Sequence, residues 1–273
     1  MPTYALLGAT GSTGSAILRS LLLKPPADLI LNVFVRSKSK FLISFPDLKT
    51  TLGANIDIIE GTPSDPTALR ECLKDVDVVM ACIGSNESTP GMSLIYDTTI
   101  AIIGALEDHQ FNHSAYTLPT IIQLRSASLN EVFSARLPWI ARTMASFCFY
   151  HVYTDLDRAC KLLATRPELL NYIFVDPPSI HDPDGTISTG YRLILDDKQE
   201  PALSYADLGA AFCEIAERRN EFVGKGVGVS ATGLVNLTWG TLMGYMVTGA
   251  RGRILGSKDG ANSPLSLLDW RYI

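Results

Sequence analysis

The feature that most constrains this chain is a run of three evenly spaced glycines, Gly8, Gly11 and Gly14, close to its N-terminus. An apolar segment, residues 4–7, precedes the run, and helical spacing of apolar residues follows it. In this context the first glycine permits a tight turn, the second lets the backbone approach a pyrophosphate, and the third lets a helix pack against the sheet. The alternative is a purely structural glycine turn. The pattern predicts a dinucleotide site formed by Gly8, Thr10, Gly11, Ser12, Thr13 and Gly14.

Apolar strand-like segments and helical segments alternate along most of the chain. Strands are expected at 4–7, 31–35, 56–59, 76–82, 120–124 and 172–175, and helices at 15–23, 66–73, 93–108 and 153–163. Continuous apolar strands separated by helices predict an α/β fold, a Rossmann-type doubly wound parallel sheet with helices on both faces.

The pattern loosens after Pro178. It indicates a loop at 181–190, late strands at 191–195 and 226–230, and a helix at 206–218 capped by Ser204 or a neighbour. We therefore expect a single NAD(P)-binding Rossmann domain over 1–273. Residues 1–178 would form its cofactor-binding core, and residues 179–273 a smaller C-terminal substrate-covering region.

The end of the second strand predicts which dinucleotide binds. NAD-specific sites usually place an acid there to bind the ribose 2′-hydroxyl. This chain instead has Arg36, followed by Ser37 and Lys38, with Ser39 and Lys40 beyond them. Cations and hydroxyls suit a 2′-phosphate, so the cofactor is predicted to be NADP(H). The alternative is a solvated basic loop that binds nothing.

Residues at the ends of other strands complete the predicted cofactor site, because ligands of such sheets bind beyond the carboxyl ends of the strands. Asp65 either meets the adenine amino group or caps the helix that begins at Pro66. Cys82, Ile83 and Gly84 are expected beneath the ribose. Pro177, which ends the sixth strand, is assigned to the cofactor site by the same position.

Candidate catalytic residues follow the fifth strand and begin the next long helix. Ser126 and Ser128 are expected beside the nicotinamide, with Tyr153 or Tyr150 as the proton donor. In short-chain dehydrogenases a lysine four residues after the tyrosine lowers its pKa, but here those positions hold Asp157 and Thr154. Serine capping and simple packing of the tyrosine remain the structural alternatives.

Other polar residues are weaker candidates for acid–base chemistry. His151, placed just before the helix, could act as a base or could lie at the surface, and Asp155 could also take part. His181, in the expected loop over the cofactor, could touch substrate. The four histidines, His109, His113, His151 and His181, lack ligand spacing, so no metal is predicted.

Composition restricts the partners and the location. A formal net charge of −5 argues against nucleic acid as a partner. Five scattered cysteines without a C-x-x-C pair indicate buried, reduced thiols in the cytoplasm, and no signal peptide is recognised at the start. Residues 234–250 are too short and too polar for a membrane span, so a core or lid helix is expected, with a membrane-surface role as the alternative. The oligomeric state is open, a homodimer included.

Three segments carry a resemblance to known families. Residues 5–14, ALLGATGSTG, resemble the opening of atypical short-chain dehydrogenases of the NmrA-like type. Residues 150–156, YHVYTDL, and 226–233, GVGVSATG, resemble the averufin oxidase family, fungal oxidoreductases of secondary-metabolite clusters. The resemblance spans nearly the whole chain. It implies an NADP-type Rossmann fold, a bulky aromatic or polyketide-derived substrate and a cytosolic enzyme.

Three hypotheses about function follow. The first is an NADP(H)-dependent oxidoreductase acting on a hydrophobic secondary metabolite, in a pocket lined by Trp139, Phe147, Phe149, Tyr150, His151, Trp239 and Tyr245. The second, motivated by the missing lysine, is a non-redox isomerase, cyclase or dehydratase on the same scaffold. The third is a non-catalytic regulator that senses NADP(H), because NmrA-like proteins include such sensors.

Overall fold

Ten strands are present in the computed structural model, which describes residues 1–46, 48, 55–85, 88–112, 115–182, 186–237 and 239–255. In chain order they are β1 (Thr3–Leu7), β2 (Ile30–Val35), β3 (Ile56–Glu60), β4 (Val78–Ala81), β5 (Thr120–Leu124), β6 (Asn171–Asp176), β7 (Ser179–His181), β8 (Tyr191–Ile194), β9 (Ala202–Ser204) and β10 (Gly226–Ala231). All of the strands expected from the sequence form, with end shifts of one or two residues.

Helices follow most of the strands. They are α1 (Ser12–Leu23), α2 (Lys38–Ser44), α3 (Pro66–Cys72), α4 (Leu94–Asn112), α5 (Glu131–Ser134), α6 (Trp139–Cys148), α7 (Tyr150–Ala164), α8 (Tyr205–Glu217), α9 (Arg219–Phe222) and α10 (Trp239–Leu255), with a short 3-10 helix at Ala127–Leu129. Among these, α2, α5, α6 and α9 were not expected, and α7 begins earlier than expected.

Eight strands form the central sheet in the order β3-β2-β1-β4-β5-β6-β10-β8. All neighbours in it are parallel except β8, which runs antiparallel to β10. The chain reverses direction across the sheet between β1 and β4, and this switch point opens a crevice at the carboxyl ends of the strands. The predicted Rossmann-type α/β fold is confirmed.

Both faces of the sheet are buried because successive side chains of a strand point to opposite sides. In β1, Leu6 packs in one core with α1 and α8, whereas Leu7 packs in the other core with α4 and α7. Both leucines are fully buried. Burial of such side chains is worth roughly 1.5–3 kcal/mol each, which explains why the strands read as continuous apolar runs.

The C-terminal part contributes to the sheet as well as covering it. Strands β8 and β10 extend the central sheet, while β7 and β9 form a separate parallel pair. Asp207, in the first turn of α8, is fully buried and accepts hydrogen bonds from the backbone of Thr189 and Gly190 and from the hydroxyl of Ser204. Ser204 in turn caps α8, as the sequence predicted. These bonds anchor the loop between β7 and β8.

The expected loop at 181–190 needs one correction. It begins later, because residues 179–181 form β7, and residues 183–185 lie outside the part of the chain that the structure describes. The apolar segment at 234–250 forms most of α10, as a helix whose outer side is exposed rather than as a core helix. Within the described ranges, no helix combines the length and the apolar character that crossing a bilayer requires.

Candidate active site

The glycine loop between β1 and α1 has a shape that only glycine allows. Gly8 has a φ of +91°, and a Cβ there would lie 2.8 Å from the carbonyl carbon and oxygen of Cys82. A Cβ on Gly14 would lie 2.6 Å from the carbonyl carbon of Gly8. Both positions hold the first turn of α1 against the ends of β1 and β4, at the sheet's switch point.

The start of α1 presents unpaired backbone donors. Gly11 is the N-cap and makes no side-chain capping bond. The amide of Gly11 donates to the carbonyl of Gly8, and the amide of Ser15 donates to the carbonyl of Gly11. Of the described residues, none accepts a hydrogen bond from the amides of Ser12, Thr13 or Gly14. Free N–H groups at a helix N-terminus bind phosphate, so these residues fit a dinucleotide pyrophosphate.

The side chains of the loop differ in accessibility. Thr10 is exposed and Ser12 is half-buried, whereas the Thr13 side chain is buried in the protein. Tyr205, at the start of α8, interacts with the Ser12 side chain. Burial and the nearby Tyr245 of α10 raise the pKa of Tyr205 to about 12, against the lowering effect of Ser12. Sequence reasoning missed Tyr205, because only the packing of α8 on α1 brings it to the glycine loop.

The end of β2 carries the basic residues expected at the ribose. Arg36 and the Lys38 side chain are exposed. The Lys38 amide donates to Oε2 of Glu60, the last residue of β3, over 2.9 Å. The Ser37 hydroxyl accepts a hydrogen bond from the Lys40 amide and caps α2. The predicted basic loop is thus the start of a helix. Glu60, at the neighbouring end of β3, is an acid that sequence reasoning missed.

The other residues predicted to bind the cofactor lie beyond the ends of β3, β4 and β6. Asp65 caps α3 by accepting hydrogen bonds from the amides of Thr67 and Ala68, which was one of its two predicted roles. Cys82 is half-buried overall, and burial raises the pKa of its thiol. Ile83 and Gly84 follow it at the carboxyl end of β4. Pro177 is buried, and its carbonyl accepts a hydrogen bond from the Ala127 amide.

Ser126 and Tyr153 meet at the carboxyl end of β5. The Ser126 Oγ lies 3.3 Å from the Tyr153 hydroxyl, within hydrogen-bond distance. Ser126 also caps the short 3-10 helix by accepting from the Ser128 amide, so the Ser128 side chain lies one turn further on. The Tyr153 ring packs against Phe149, with 5.7 Å between centroids. The structure therefore joins two predicted catalytic residues that are separated in sequence by α5 and α6.

The position of the dehydrogenase lysine, four residues after the tyrosine, holds no cation here. A different cation, Arg125, lies next to Ser126 in the chain. Asp157, four residues after Tyr153, instead pairs with Lys161 over 2.6 Å. Arg125, which precedes Ser126, forms two hydrogen bonds of 2.6 Å to the fully buried Asp176. Burial lowers the pKa of Arg125, but the bonds and charge of Asp176 outweigh it and raise that pKa overall.

This ion pair ties together the ends of two strands. Asn130 donates a further hydrogen bond to Asp176 over 2.7 Å, and the Arg125 guanidinium lies 4.7 Å from the centroid of the Phe174 ring. A buried charge needs such complete pairing. Because Arg125 directly follows β5 and Asp176 ends β6, the network fixes the backbone that carries Ser126. Sequence reasoning missed it, since its three polar residues come from separate segments.

Two predicted acid–base residues have other surroundings than expected. Asp155 is buried and accepts hydrogen bonds from the amides of Ile95 and Tyr96, so it caps α4. The prediction of an acid–base role for Asp155 is wrong for this geometry, because both oxygens hold backbone donors. His151 lies in the first turn of α7, not before the helix.

His151 has one buried ring nitrogen, Nε2, without a hydrogen-bond partner among the described residues. Burial, and then the charge of Arg253, lowers the pKa of His151. Its ring makes an edge contact with Tyr150, 5.2 Å between centroids, and Arg253 lies 3.3 Å from the Tyr150 ring centroid. Tyr150 thus contacts Arg253, whereas Tyr153 contacts Ser126.

His181 and the cysteines also differ from expectation. His181 is buried in β7, with Nε2 3.0 Å from the Ser179 hydroxyl, rather than exposed in a loop over the cofactor. Burial lowers its pKa. All five cysteines are free, but Cys82 and Cys213 are only half-buried. Within the described ranges, no group of three or more His, Cys, Asp or Glu residues could hold a metal; His113 lies outside them.

The predicted aromatic pocket is only partly assembled. Phe149 and Tyr150 lie at the junction of α6 and α7, next to Tyr153. Trp139 and Phe147 of α6 are exposed, Trp139 to 70 %, so they do not close a pocket. Tyr245 approaches the glycine loop through Tyr205, and the side chain of Trp239 lies outside the described part of the structure.

The parallel sheet, the glycine loop with its uncapped helix and the serine–tyrosine pair define a class: Rossmann-fold oxidoreductases with a nicotinamide dinucleotide. Residues 8–219 match the profile of the NAD(P)H-binding family. The chain belongs to this family, and its relatives include averufin oxidases.

Two fungal relatives cover almost the whole chain. Averufin oxidase A of Dothistroma septosporum is 51% identical over 261 residues, which is 93% of this chain and 92% of that protein. Averufin oxidase stcO of Emericella nidulans is 44% identical over 271 residues, 93% of this chain and 90% of that protein. These relatives confirm the predicted family and the prediction of an oxidoreductase.

A solved structure shows the same fold at low sequence identity. The short-chain dehydrogenase/reductase of Veillonella parvula in complex with NADP has a TM-score of 0.59 and 19% identity, and the match covers 85% of this chain and 95% of that one. At this identity the match shows the shared fold, and it is the family match that supports the predicted nicotinamide dinucleotide. The roles of the individual site residues stay predictions.

Proposed function

We propose that this protein is an NADP(H)-dependent oxidoreductase whose substrate is a polycyclic aromatic compound of polyketide origin. The observation that carries the proposal is the 3.3 Å contact between Ser126 and Tyr153 at the carboxyl end of β5. This contact lies on the same edge of the sheet as the glycine loop. Dinucleotides bind along this edge, beyond the carboxyl ends of the central strands. The names of the fungal relatives support the substrate class.

The serine and the tyrosine have complementary roles. Ser126 donates a hydrogen bond to the substrate oxygen and orients it, and the Tyr153 hydroxyl exchanges a proton with that oxygen. The bound dinucleotide supplies hydride exchange at its nicotinamide ring. The Arg125–Asp176–Asn130 network keeps Ser126 in place, because it holds the β5 and β6 ends together through buried charge-assisted bonds.

The preference for NADP(H) rests on the end of β2. The exposed Arg36 and Lys38 provide positive charge where a 2′-phosphate would lie. Glu60, an acid at the neighbouring end of β3, accepts a hydrogen bond from the Lys38 amide. A guanidinium binds phosphate in a bidentate manner, which a ribose 2′-hydroxyl cannot match.

The wall beside Tyr153 suits a flat aromatic substrate. Phe149 packs on the Tyr153 ring, and the Tyr150 ring lies partly exposed one turn earlier in the same helix. Flat aromatic rings favour offset or tilted packing against such side chains. Ser128, half-buried and one turn after Ser126, offers a second hydroxyl for a polar substituent.

A turnover assay with averufin and each oxidation state of NADP tests the catalytic roles. The Tyr153→Phe variant should lose about 10²–10⁴-fold in kcat, because it removes the proton-exchanging hydroxyl. The Ser126→Ala variant should also lose activity, whereas the matched control Tyr150→Phe should keep it. Calorimetry should show NADPH binding unchanged in all three variants.

Two outcomes would contradict this assignment. If the Tyr153→Phe variant turns over as fast as the wild type, Tyr153 is not the proton-exchanging residue. Averufin conversion that is equally fast with NADP+, NADPH or neither would favour the non-redox isomerase or cyclase, a candidate motivated by the Asp157–Lys161 pair that occupies the usual position of the lysine.

We further propose that the chain works as a single domain in the cytoplasm, without a nucleic-acid partner. The net charge of −5 supports the last point, because no excess of cations is available to neutralise phosphates. The contribution of β8, β10 and α8 to the central sheet supports a single domain. A homodimer is compatible with this assignment.

A further inference from the structure

Helices α6 and α10 pack against each other and leave an apolar outer face. Among the residues that the structure describes, ten of the twenty exposed large hydrophobic side chains lie in residues 139–150 and 234–254, so apolar exposure is concentrated there. They are Trp139, Ile140, Met144, Phe147, Tyr150, Leu234, Leu237, Met243, Val247 and Ile254. Apolar exposure of this density on one part of a surface usually marks an interaction site.

The outer side of α10 is set by helical spacing. Met243, Val247 and Ile254 lie four and seven residues apart, which places them within about 40° of one another around the helix. Each is more than half exposed. Gly249 and Gly252 lie on the opposite side, where α10 approaches the carbonyls of Cys148 and Ser88. The helix therefore docks through glycines and directs its large apolar side chains outward.

The charges on this face have one sign. Arg142 lies in α6, and Arg251 and Arg253 lie in the last turns of α10. The sequence has no Asp or Glu between Glu131 and Asp155, and none between Glu221 and Asp259. These segments are thus purely cationic in a chain whose formal net charge is −5.

We propose that this arginine-rimmed face, formed by the outer sides of α6 and α10 with Arg142, Arg251 and Arg253, binds the surface of an anionic lipid bilayer. Helices that lie in a membrane interface combine an apolar stripe rich in aromatic and aliphatic residues with flanking cations. Arginine side chains bury their stems along apolar surface and keep the guanidinium at the headgroups.

A second copy of the chain fits this face less well. A two-fold contact brings the same surface patch of both copies together. Arg142, Arg251 and Arg253 would then meet their own counterparts with no acid from either segment to pair with them. Like charges placed opposite one another oppose association, whereas anionic headgroups neutralise the same arginines.

The arginine-rimmed face lies close in the chain to Tyr153, which links membrane binding to substrate access. Helix α6 ends at Cys148 and α7 begins at Tyr150, so the bilayer-facing helix leads within one turn to the helix that carries Tyr153. If the proposed function holds, an apolar aromatic substrate dissolved in lipid reaches the site without crossing bulk water. The lipid binding itself is independent of that step.

Vesicle flotation of the whole protein tests the proposal. The probes are vesicles of phosphatidylcholine alone and vesicles with about 30% phosphatidylserine. The protein should float with the anionic vesicles at least about tenfold more than with the neutral ones, and raising salt to 1 M should weaken this binding. The Met243→Glu/Val247→Glu variant should lose binding at least about tenfold.

The matched control adds the same two charges elsewhere. Leu23→Glu/Phe111→Glu changes two residues that are 87% and 90% exposed, far from this face in the fold, and should bind vesicles like the wild type. NADPH titration and the unfolding curve of each variant show whether it is folded. Equal flotation of both variants, or no flotation of the wild type, overturns the proposal. A wild-type dimer that Met243→Glu/Val247→Glu converts to monomer, without vesicle binding, would instead assign the face to a second copy.

Discussion

Single residues in this structure are defined by the partners that the fold brings to them. Ser126 lies two residues after β5 and Tyr153 is the fourth residue of α7, and their hydroxyl oxygens lie 3.3 Å apart. Asp155, two residues after Tyr153, points to α4 and serves as a cap. Adjacent positions on one helix therefore serve different purposes, one at the site and one in the core.

Arg36 is the residue for which a change in cofactor preference is expected. Arg36→Ala should lower the affinity for NADPH by about 10–100-fold, because a charge-assisted bond to the 2′-phosphate is lost. The affinity for NADH should stay unchanged, since NADH has a hydroxyl there. Calorimetric titration with both dinucleotides measures this, with Lys24→Ala, an exposed cation at the far end of α1, as the control. An equal loss for both dinucleotides would refute the 2′-phosphate assignment.

At the scale of elements, close approach of backbones positions the helices. Gly14 allows α1 to start against Gly8, and Gly249 allows α10 to lie against the carbonyl of Cys148, at the end of α6. In contrast, Gly244 in the same helix has open space where a Cβ would be. The two glycines of α10 thus have opposite expected responses to the same substitution.

Gly249→Ala should loosen α10, because the new methyl group would overlap the Cys148 carbonyl oxygen. We expect a cost of about 1–3 kcal/mol. Gly244→Ala should instead stabilise the helix by up to about 1 kcal/mol, because alanine favours helix more than glycine. Hydrogen exchange of the α10 amides measures both effects. Unchanged exchange in Gly249→Ala would show that α10 does not dock through the Cys148 contact, whereas faster exchange in Gly244→Ala would show that alanine is not accommodated at residue 244.

For the whole molecule, buried histidines link stability to pH. Burial lowers the pKa of both His151 and His181 in the folded state. The unfolded chain keeps the ordinary histidine pKa of about 6.5, so below that pH it binds more protons than the folded chain. The free energy of unfolding should therefore fall as the pH drops from 6.5 toward the lowered folded-state values, and level off below them.

Urea unfolding between pH 8 and 5 measures this dependence. The His151→Gln/His181→Gln variant should show a flatter curve around pH 6, because the two linked protons are removed. Leu23→Gln, which changes an exposed residue without an ionisable group, should keep the wild-type slope. A slope that is identical in all three proteins would assign the acid sensitivity to other groups.

The class of fold and cofactor could be predicted from the sequence, because both depend on short-range features. A strand, three glycines and a helix lie within one continuous segment, and their backbone geometry follows from the residues themselves. The basic residues after β2 could also be predicted, because they directly follow the strand in the sequence.

The sequence by itself thus determined the Rossmann-type sheet, the glycine loop and the serine and tyrosine candidates. Only the tertiary structure decided that Tyr153 rather than Tyr150 meets Ser126, that Asp155 caps α4, and that His181 is buried. It alone revealed the Arg125–Asp176 pair and the arginine-rimmed face. The physical reason is that burial, ion pairing and surface charge depend on segments far apart in the chain, whose distances no local pattern encodes.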